Sequence, residues 1–338
     1  MKQWFLVFCM LVLVPGTCPA FQPVLWGLAL DGYPIDETRL QAVTAQTGIP
    51  PGLVVFFMQW PKTPDTGHFP EETLNNIWSF GAVPCLTWEP MFIENGQEKT
   101  IDHDAITSGQ YDRYLTAFAR SAKTWGRPLI IRFAHEMNTR RYHWGTSETA
   151  YGPESPRFYQ DMFRYLVNLF RKEGAGNVLW AFCPNAESIP NRTMTPDAAW
   201  NTATAYYPGN GFVDILGMDG YNWGTTQTTE KNGWKSDWRS FESIFGAMHA
   251  ELKAISSTKP VIVFETASTV QGGDKARWIT DALDTVDTWG VTGLAWFEVN
   301  KELDWRLSIG LPSEAIVSLR SRLSPAHAWA RSLVRNTG

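Results

Sequence analysis

Cysteine and histidine are both scarce in this sequence, with 4 and 6 examples among 338 residues. No two cysteines have the spacing of a metal site, and the histidines form neither a His-x-His pair at a predicted strand end nor a His-Glu-x-x-His motif. Cys85 and Cys183 fall on different predicted strands with another strand between them in the sequence, whereas a disulfide needs Cα atoms within about 7 Å. The sequence therefore predicts two buried free thiols and no catalytic metal.

Blocks of basic residues, glycine-rich phosphate loops and linker-like tracts are also missing. The formal net charge is -5, which argues against a nucleic acid or an anionic membrane as a partner. A doubly wound open sheet is an alternative fold, but no glycine-rich phosphate loop follows the first predicted strand. No linker, low-complexity tract or appended repeat divides the chain. These absences predict one domain without a separate binding module.

The amino terminus has the pattern of a secretory signal over residues 1–20. Lys2 provides a short positive region, residues 4–14 are apolar, and Cys18-Pro19-Ala20 supplies small residues at a cleavage site. The apolar stretch is too short to span a bilayer as a helix, and an uncleaved anchor is the alternative. We therefore predict a secreted protein, extracellular or periplasmic, whose mature chain of residues 21–338 does not insert into a membrane.

Apolar runs of strand length alternate with amphipathic stretches along the rest of the chain. Eight such runs are separated by polar loops and by segments with helical spacing of their apolar residues. Parallel strands separated by helices are the pattern of a (β/α)8 barrel, so we predict an α/β fold and a single TIM barrel. The predicted strands are 24–30, 53–60, 82–88, 129–135, 178–183, 213–218, 261–264 and 294–299. The predicted helices include 112–125, 158–172, 241–255, 275–289 and 313–323, and the tail from 324 is left unassigned.

The end of the fourth predicted strand carries the most chemical information. Residues 129–131 are apolar, and His135 and Glu136 follow where the strand reaches its carboxyl end; the seventh predicted strand likewise ends in Glu265. In barrel enzymes this end of the strands carries the catalytic residues. In glycoside cleavage, one carboxyl group protonates the departing oxygen and a second attacks or stabilises the anomeric carbon. Two glutamates on one rim therefore predict paired-carboxylate catalysis.

The other strand ends add acidic and aromatic side chains to the same rim. Arg132 is predicted to point inward below Glu136 and to contact a carboxylate, with a purely structural ion pair as the alternative. Tyr221 is predicted to donate its hydroxyl to Glu265. Taken singly, each rim residue is also explained as a surface carboxylate or a core tryptophan, and the 17 tryptophans suit core packing as well as stacking on sugars. The predicted rim further contains Asp31, Trp60, Trp88, Glu89, Asn185, Asp219, Asn222, Trp223, Trp296, Glu298 and Asn300.

Four segments together carry a family resemblance. They are Arg-Phe-Ala-His-Glu-Met-Asn at 132–138 followed by Trp144-Gly145, Val-Asp-Ile-Leu-Gly-Met-Asp-Gly-Tyr-Asn-Trp-Gly at 213–224, the strand 260–268, and the closing segment with Trp296-Phe297, Asn300-Lys301 and Asp304-Trp305-Arg306. They resemble the acid/base, sixth-strand, nucleophile and closing segments of glycoside hydrolase family 26, whose best-known members are endo-β-mannanases. The resemblance runs from about residue 24 to residue 323.

This resemblance implies a role for each matched residue. Glu136 would be the general acid/base and Glu265 the nucleophile. His135 would lie beside the reacting sugar, but strict alternation along a strand turns it away from the lumen, so this role requires a twist or bulge. Two departures bear on sugar preference: Thr139 stands where the family often has Gly, and Glu298 where a small polar residue or Asn is common. The expected substrate-binding residues are His135, Trp144, Tyr221, Trp296, Trp88 and Asn185.

The implied activity is retaining cleavage of a plant-type β-polysaccharide by double displacement, which needs no metal or organic cofactor. β-1,4-Mannan is the first expected substrate because it is the commonest activity of the family; β-1,3-1,4-glucan and β-1,3-xylan are the alternatives. A metal-dependent barrel hydrolase and a non-catalytic carbohydrate-binding protein are the alternative hypotheses from other functional classes. Histidine spacing argues against the former, and the pair of glutamates argues against the latter. We expect a monomer whose partner is the polysaccharide.

Overall fold

Eight parallel strands close into a barrel in the computed structural model, which describes residues 24–65, 67–307 and 311–336. The predicted signal segment lies outside these residues. The strands are β1 (Leu25–Ala29), β2 (Leu53–Gln59), β3 (Val83–Glu89), β4 (Met91–Glu94), β5 (Gln97–Thr100), β6 (Leu129–Phe133), β7 (Val178–Phe182), β8 (Ile215–Asn222), β9 (Val261–Ser268) and β10 (Gly293–Phe297). Around the barrel the strand order is β1, β10, β9, β8, β7, β6, β3 and β2, and a separate hairpin joins β4 to β5.

The first and last barrel strands pair with each other, which closes the sheet. Leu25 is opposite Gly293 in this parallel pair, and Gly27 is opposite Leu53 on the other side of β1. The fold is therefore a (β/α)8 TIM barrel, as the sequence predicts. All eight predicted strands are confirmed, although β8 and β9 continue four residues beyond their predicted ends and so reach the catalytic rim as regular strand.

Helices surround the barrel and bury the apolar stripe that their sequences predict. In α4 (Asp112–Trp125) the buried side chains include Tyr114, Leu115 and Phe118, and α5 (Ser155–Glu173) is capped by Gly174, whose φ of 80° is left-handed. No helix in the described part of the chain combines the length and apolar character that a membrane crossing requires. The helices are α1 (Glu37–Thr47), α2 (Glu71–Ser79), α3 (His103–Thr107), α4 (Asp112–Trp125), α5 (Ser155–Glu173), α6 (Ala203–Tyr206), α7 (Thr229–Asn232), α8 (Phe241–Ile255), α9 (Lys275–Trp289), α10 (Ser313–Arg322) and α11 (Ala326–Asn336).

The barrel strands are buried on both faces, which explains why their sequences are continuous apolar runs. Cys85 and Cys183 lie on β3 and directly after β7, and both are buried free thiols, as predicted. The unassigned tail forms α11, where the ring of His327 stacks on Trp78 at a centroid distance of 3.6 Å. This helix therefore packs against α2.

The hairpin of β4 and β5 was not predicted from the sequence. Its turn is Asn95-Gly96, with φ values of 52° and 73°, a pair that favours two-residue hairpin turns. Glu98 on β5 accepts two hydrogen bonds, of 2.6 and 2.8 Å, from the guanidinium of Arg141. The hairpin is thereby attached to the loop that follows β6, beside the mouth of the barrel.

Candidate active site

The chain turns sharply where β6 ends, directly before the acid/base candidate. Ala134 and Glu136 have φ values of 48° and 51°, in the left-handed region that non-glycine residues rarely adopt. The Glu136 N–H donates to the carbonyl of Cys183, just beyond β7, at 2.8 Å. These two residues interrupt strand alternation and provide the twist that a lumen-facing His135 requires. Such conformations cost about 1–3 kcal/mol each and are typical of functional sites.

Glu265 lies on β9, and a different donor binds each of its carboxylate oxygens. The Arg132 guanidinium forms an ion pair with Oε1, and the Tyr221 hydroxyl donates to Oε2 at 2.5 Å. Arg132 also binds Oδ2 of Asp219 at 2.5 Å. These are the contacts that the sequence predicts for Arg132 and Tyr221, and together they fix the orientation of the Glu265 carboxylate.

Backbone pairing places the ends of β6, β7, β8 and β9 at one level of the barrel. Asn185 forms a parallel bridge with Asp219, and Asp219 is the register partner of Glu265. On the other side, the backbone of Glu136 is bonded to Cys183, two residues before Asn185. Glu136 and Glu265 are therefore on the same rim, separated by the ends of two strands.

The two glutamates act on each other electrostatically. Burial disfavours the charged form of Glu136 and, with the negative charge of Glu265, raises the pKa of Glu136 to about 7, while a hydrogen bond from Asn185 opposes the shift. Burial and then the charges of Glu265 and Glu136 hold the pKa of Tyr221 well above its ordinary value. The Tyr221 hydroxyl therefore remains protonated and able to donate a hydrogen bond, and the negative charges of both carboxylates contribute to its raised pKa.

His135 is buried beside the acid/base candidate. Burial, followed by the charge of Arg132, holds the pKa of His135 well below its ordinary value, so the imidazole is neutral. Its Nδ1 is buried without a hydrogen-bond partner among the described residues, although buried polar atoms normally have one. A substrate hydroxyl is a suitable partner for this atom.

Trp144 supports this histidine from behind. Its indole N–H donates to the carbonyl of His135 at 2.6 Å, and its ring stacks on Tyr142 at 5.1 Å with an interplanar angle of 9°. Trp144 is buried, whereas Tyr142 and Asn185 are partly exposed. The Tyr142 ring thus packs on Trp144, and the guanidinium of Arg141 lies over it at 4.6 Å from the ring centroid.

Trp88, predicted to contact substrate, lies in the core instead. It is fully buried, and its indole N–H donates to the hydroxyl of Tyr114 on α4 at 3.1 Å. Alternation along β3 turns Trp88 towards the helices and the next residue, Glu89, towards the lumen. The expectation for Trp88 was wrong because the sequence did not decide which face of the strand it occupies.

Trp296, also predicted to face the sugar, points outward for the same reason. It is 1% exposed, its ring lies under Nζ of Lys275 on α9, and its N–H donates to the carbonyl of Trp305 at 2.9 Å. The next residue, Phe297, contacts the ring of Tyr221 at 5.5 Å. The prediction for Trp296 is therefore corrected to a supporting position behind Trp305.

Thr139 and Glu298, the two departures from the family pattern, stabilise loops. The hydroxyl of Thr139 donates to the carbonyl of Glu136 at 3.0 Å, within the turn that carries the acid/base candidate. Glu298 is 6% exposed and accepts a hydrogen bond of 2.8 Å from the backbone N–H of Leu307. Each of these side chains forms a hydrogen bond with a backbone group of a nearby loop, which gives both residues a structural role at the rim.

Two further residues belong to the cleft but were not predicted as site residues. Glu89 accepts a hydrogen bond of 2.5 Å from Gln59, and burial raises the pKa of Glu89 to about 7. Burial and then the charges of Glu136, Glu89 and Glu265 hold the pKa of Tyr142 well above its ordinary value. Glu89 was on the predicted rim, whereas Tyr142 ends a single 3-10 turn (Arg140–Tyr142) that is too short for a periodic pattern to reveal the direction of its side chain. Among the described residues, no three His, Cys, Asp or Glu side chains are grouped to hold a metal ion, and we assign no metal ligand.

Comparison with known proteins connects this geometry with one family. The model of glycosyl hydrolase family 26 matches residues 92–254, which include Glu136 and Tyr221. The chain is 35% identical to Endoglucanase H of Acetivibrio thermocellus over 249 residues, which are 73% of this chain and 25% of that protein. It is 26% identical to a mannan endo-1,4-β-mannosidase of Bacillus subtilis over 212 residues, 55% of this chain and 54% of that protein. The chain thus spans from a quarter to about half of the length of these relatives.

Solved structures show the same fold. A Bacillus subtilis mannanase superposes with a TM-score of 0.62 at 19% identity, covering 88% of this chain and 85% of the other. A family 26 β-mannanase from Bacteroides ovatus superposes with a TM-score of 0.58 at 17% identity, covering 90% of each chain. At such identities the likeness supports the barrel, and the family assignment comes from the sequence matches. The match over residues 92–254 assigns this part of the chain to glycosyl hydrolase family 26.

Proposed function

We propose that the chain is a retaining, endo-acting β-glycosidase in which Glu265 is the nucleophile and Glu136 the general acid/base. The observation that carries the proposal is the contrast between two carboxyl groups on one rim. Arg132 and Tyr221 bind the two oxygens of Glu265 and aim it. Burial and the charge of Glu265 raise the pKa of Glu136 to about 7, which keeps a proton available. Carboxyl groups in such different environments are the usual basis for assigning the two roles.

The proposed reaction is a double displacement. Glu265 attacks the anomeric carbon while Glu136 gives its proton to the glycosidic oxygen, so the leaving saccharide departs and a glycosyl-enzyme ester forms. Esterification removes the negative charge of Glu265, which lowers the pKa of Glu136. Glu136, now ionised, takes a proton from the attacking water, and the sugar is released with retained configuration.

The names of the relatives support two substrate classes. β-1,4-Mannan is supported by several mannan endo-1,4-β-mannosidases among the relatives. A β-glucan is supported by Endoglucanase H, which has the higher identity but is matched over only a quarter of its length. We propose β-1,4-mannan as the first candidate and β-1,3-1,4-glucan as the second.

Product analysis on soluble polymers tests the activity and chooses between the substrates. β-1,4-Mannan, β-1,3-1,4-glucan and β-1,3-xylan are incubated with wild type and with Glu265→Ala, and reducing ends are counted. Wild type is expected to release reducing sugars from at least one of the first two polymers, and Glu265→Ala from none. Proton NMR of the first product should show the β-anomer. Equal signals from both proteins, or first-formed α-anomer, would contradict the proposal.

Leaving-group chemistry tests the assignment of Glu136. An activated aryl glycoside departs without a proton, so Glu136→Ala should still form the glycosyl-enzyme from it while turnover of the natural polymer falls strongly. Glu187→Ala, which removes an exposed glutamate of the same rim, is the matched control and should behave as wild type. Equal losses on both substrates in Glu136→Ala would remove the acid/base role.

We further propose that residues 1–20 direct export, because a polysaccharide substrate does not enter cells. The mass of the protein recovered from the medium or periplasm should correspond to a chain that begins near residue 21. Recovery of full-length protein only from the cell interior would argue against export.

A further inference from the structure

Exposed apolar side chains are concentrated on the face of the barrel that carries the candidate active site. Eight large hydrophobic residues are exposed in the described part of the chain, and six of them follow barrel strands at their carboxyl ends. The other two, Val317 and Leu323, lie in or next to α10. The six rim residues are Tyr33, Ile93, Ile189, Met194, Trp234 and Val270.

Trp234 is the largest of these side chains and, among the described tryptophans, the exposed one. Its exposed fraction is 45%. A tryptophan usually buries its ring in the core or in an interface, because the indole is a large apolar surface. Its exposure next to the catalytic rim is therefore not explained by folding of the barrel.

A closed loop holds Trp234 in place. Gln227 and Ser236 exchange two hydrogen bonds, from the Gln227 N–H to the Ser236 hydroxyl at 3.0 Å and from the Ser236 N–H to the Gln227 carbonyl at 3.2 Å. Between them, α7 ends at Gly233, whose φ of 76° turns the chain directly before Trp234. The ring is thus presented by a braced loop.

Ring contacts connect Trp234 to the nucleophile. Its ring meets Trp223 edge to face at 5.6 Å, and Trp223 meets Tyr221 at 6.4 Å and Trp305 at 4.9 Å. The Tyr221 hydroxyl is bonded to Glu265. Trp223 is partly exposed, so an aromatic surface continues from the nucleophile to the open face of Trp234.

We propose that Trp223 and Trp234 form a distal saccharide-binding subsite, in which the indole of Trp234 stacks on a β-linked hexopyranose unit remote from the bond that is cleaved. The occupant follows from continuity with the cleft, because a polymer held over Glu265 extends along the aromatic surface. Sugar rings have apolar C–H faces that suit an indole, and the exposed Lys235 and Asp237 beside Trp234 offer polar partners for hydroxyl groups. This inference rests on the proposed function.

The subsite is expected to strengthen the binding of long substrates without changing the rate of the chemical step. Loss of an aromatic contact and its buried area is expected to weaken polymer binding about tenfold. Trp234→Ala should therefore raise KM for the hydrolysed polysaccharide about tenfold with kcat retained, and should leave kcat/KM for an aryl β-glycoside of a single sugar unchanged. Trp234→Phe should recover most of the loss.

The matched control is Val317→Ala, which trims an exposed apolar residue on α10, away from the rim. It should match wild type on both substrates, and all variants should keep the wild-type melting temperature because Trp234 lies on the surface. A wild-type KM for polymer in Trp234→Ala, or an equal loss on polymer and aryl glycoside, would overturn the subsite.

A binding measurement separates this inference from the proposed function. Electrophoresis in gels that contain mannan or β-glucan compares Glu265→Ala with Glu265→Ala/Trp234→Ala, neither of which is expected to hydrolyse the polymer. The single variant should be retarded and the double variant should migrate faster. If wild type hydrolyses nothing, the proposed function fails, and the gel still decides on the subsite. Equal mobility of the two variants in both gels would overturn it.

Discussion

The guanidinium of Arg132 forms an ion pair with the carboxylate of Glu265, and both side chains are buried at the mouth of the barrel. The same guanidinium binds Asp219 at 2.5 Å and the hydroxyl of Thr87 at 2.6 Å. Buried charges cost several kcal/mol each unless they are paired. One cation thus compensates two carboxylates and determines where the nucleophile points.

Replacement of Arg132 by Met should therefore affect stability and activity together. Without the cation, Asp219 and Glu265 remain buried and unpaired, and at least one must bind a proton. We expect the free energy of unfolding to fall by about 3–5 kcal/mol. We also expect kcat to fall at least about 100-fold, since a protonated Glu265 is a poor nucleophile. Urea unfolding and polysaccharide hydrolysis measure the two effects.

A double variant separates these effects. Arg132→Met/Asp219→Leu also removes the second carboxylate, so part of the stability should return while kcat stays low. Arg132→Lys, which keeps the charge but loses the planar fork, should lie between wild type and Arg132→Met in stability. A double variant that recovers full activity would show that Glu265 does not depend on Arg132.

Tyr221→Phe should slow the attack step more than it weakens binding. The hydroxyl donates to Glu265 and orients it, so its loss should lower kcat about 10- to 100-fold with KM nearly unchanged. Tyr207→Phe is the control, because the Tyr207 hydroxyl is bonded to Asn210 on the surface. Steady-state kinetics on the polymer measure both. A kcat for Tyr221→Phe equal to that of the control would remove Tyr221 from the mechanism.

The pH dependence of activity should report the proton on Glu136. A general acid works only when protonated, so kcat/KM should decline as the pH rises through about 7, where Glu136 ionises. Glu89 has a pKa in the same range. Glu89→Gln should therefore keep the decline if Glu136 causes it, whereas loss of the decline in Glu89→Gln would assign it to Glu89. Initial rates from pH 4 to 9 provide the profile.

The barrel was predictable because buried parallel strands are continuous apolar runs and their helices have apolar stripes. The sequence did not reveal the hairpin of β4 and β5, whose strands have only four residues each and are partly exposed. Its Asn95-Gly96 turn was the available signal. The ends of β8 and β9 were predicted too early, because polar residues such as Asp219 and Glu265 interrupt the apolar run although the strand continues.

Contacts in the site were predictable where the chemical type of a residue determines its partner. They were less predictable where the contact depends on which face of the strand a side chain occupies. Arg132, Tyr221 and Glu265 have charges or donors with few alternative partners, and they meet as expected. Trp88 and Trp296 are adjacent to lumen-facing residues and were assigned to the wrong face of their strands. A tryptophan suits both faces, so hydrophobicity cannot decide between them, and a shift of one residue reverses the orientation.

Glu89 should make the protein less stable as the pH rises, and Glu89→Gln should remove this effect. Burial raises the pKa of Glu89 from 4.5 to about 7, so between these values the folded chain holds a proton that the unfolded chain has lost. The free energy of unfolding therefore falls as the pH rises from about 4.5 to about 7, and the penalty is complete above that range. A shift of this size corresponds to about 3 kcal/mol, and Glu136 adds an effect of the same sign.

Because Gln is an uncharged mimic of the protonated acid, urea unfolding of Glu89→Gln should depend less steeply on pH than that of wild type, with Glu314→Gln on the surface of α10 as the control. Equal pH dependence in all three proteins would show that Glu89 titrates alike in the folded and unfolded chains.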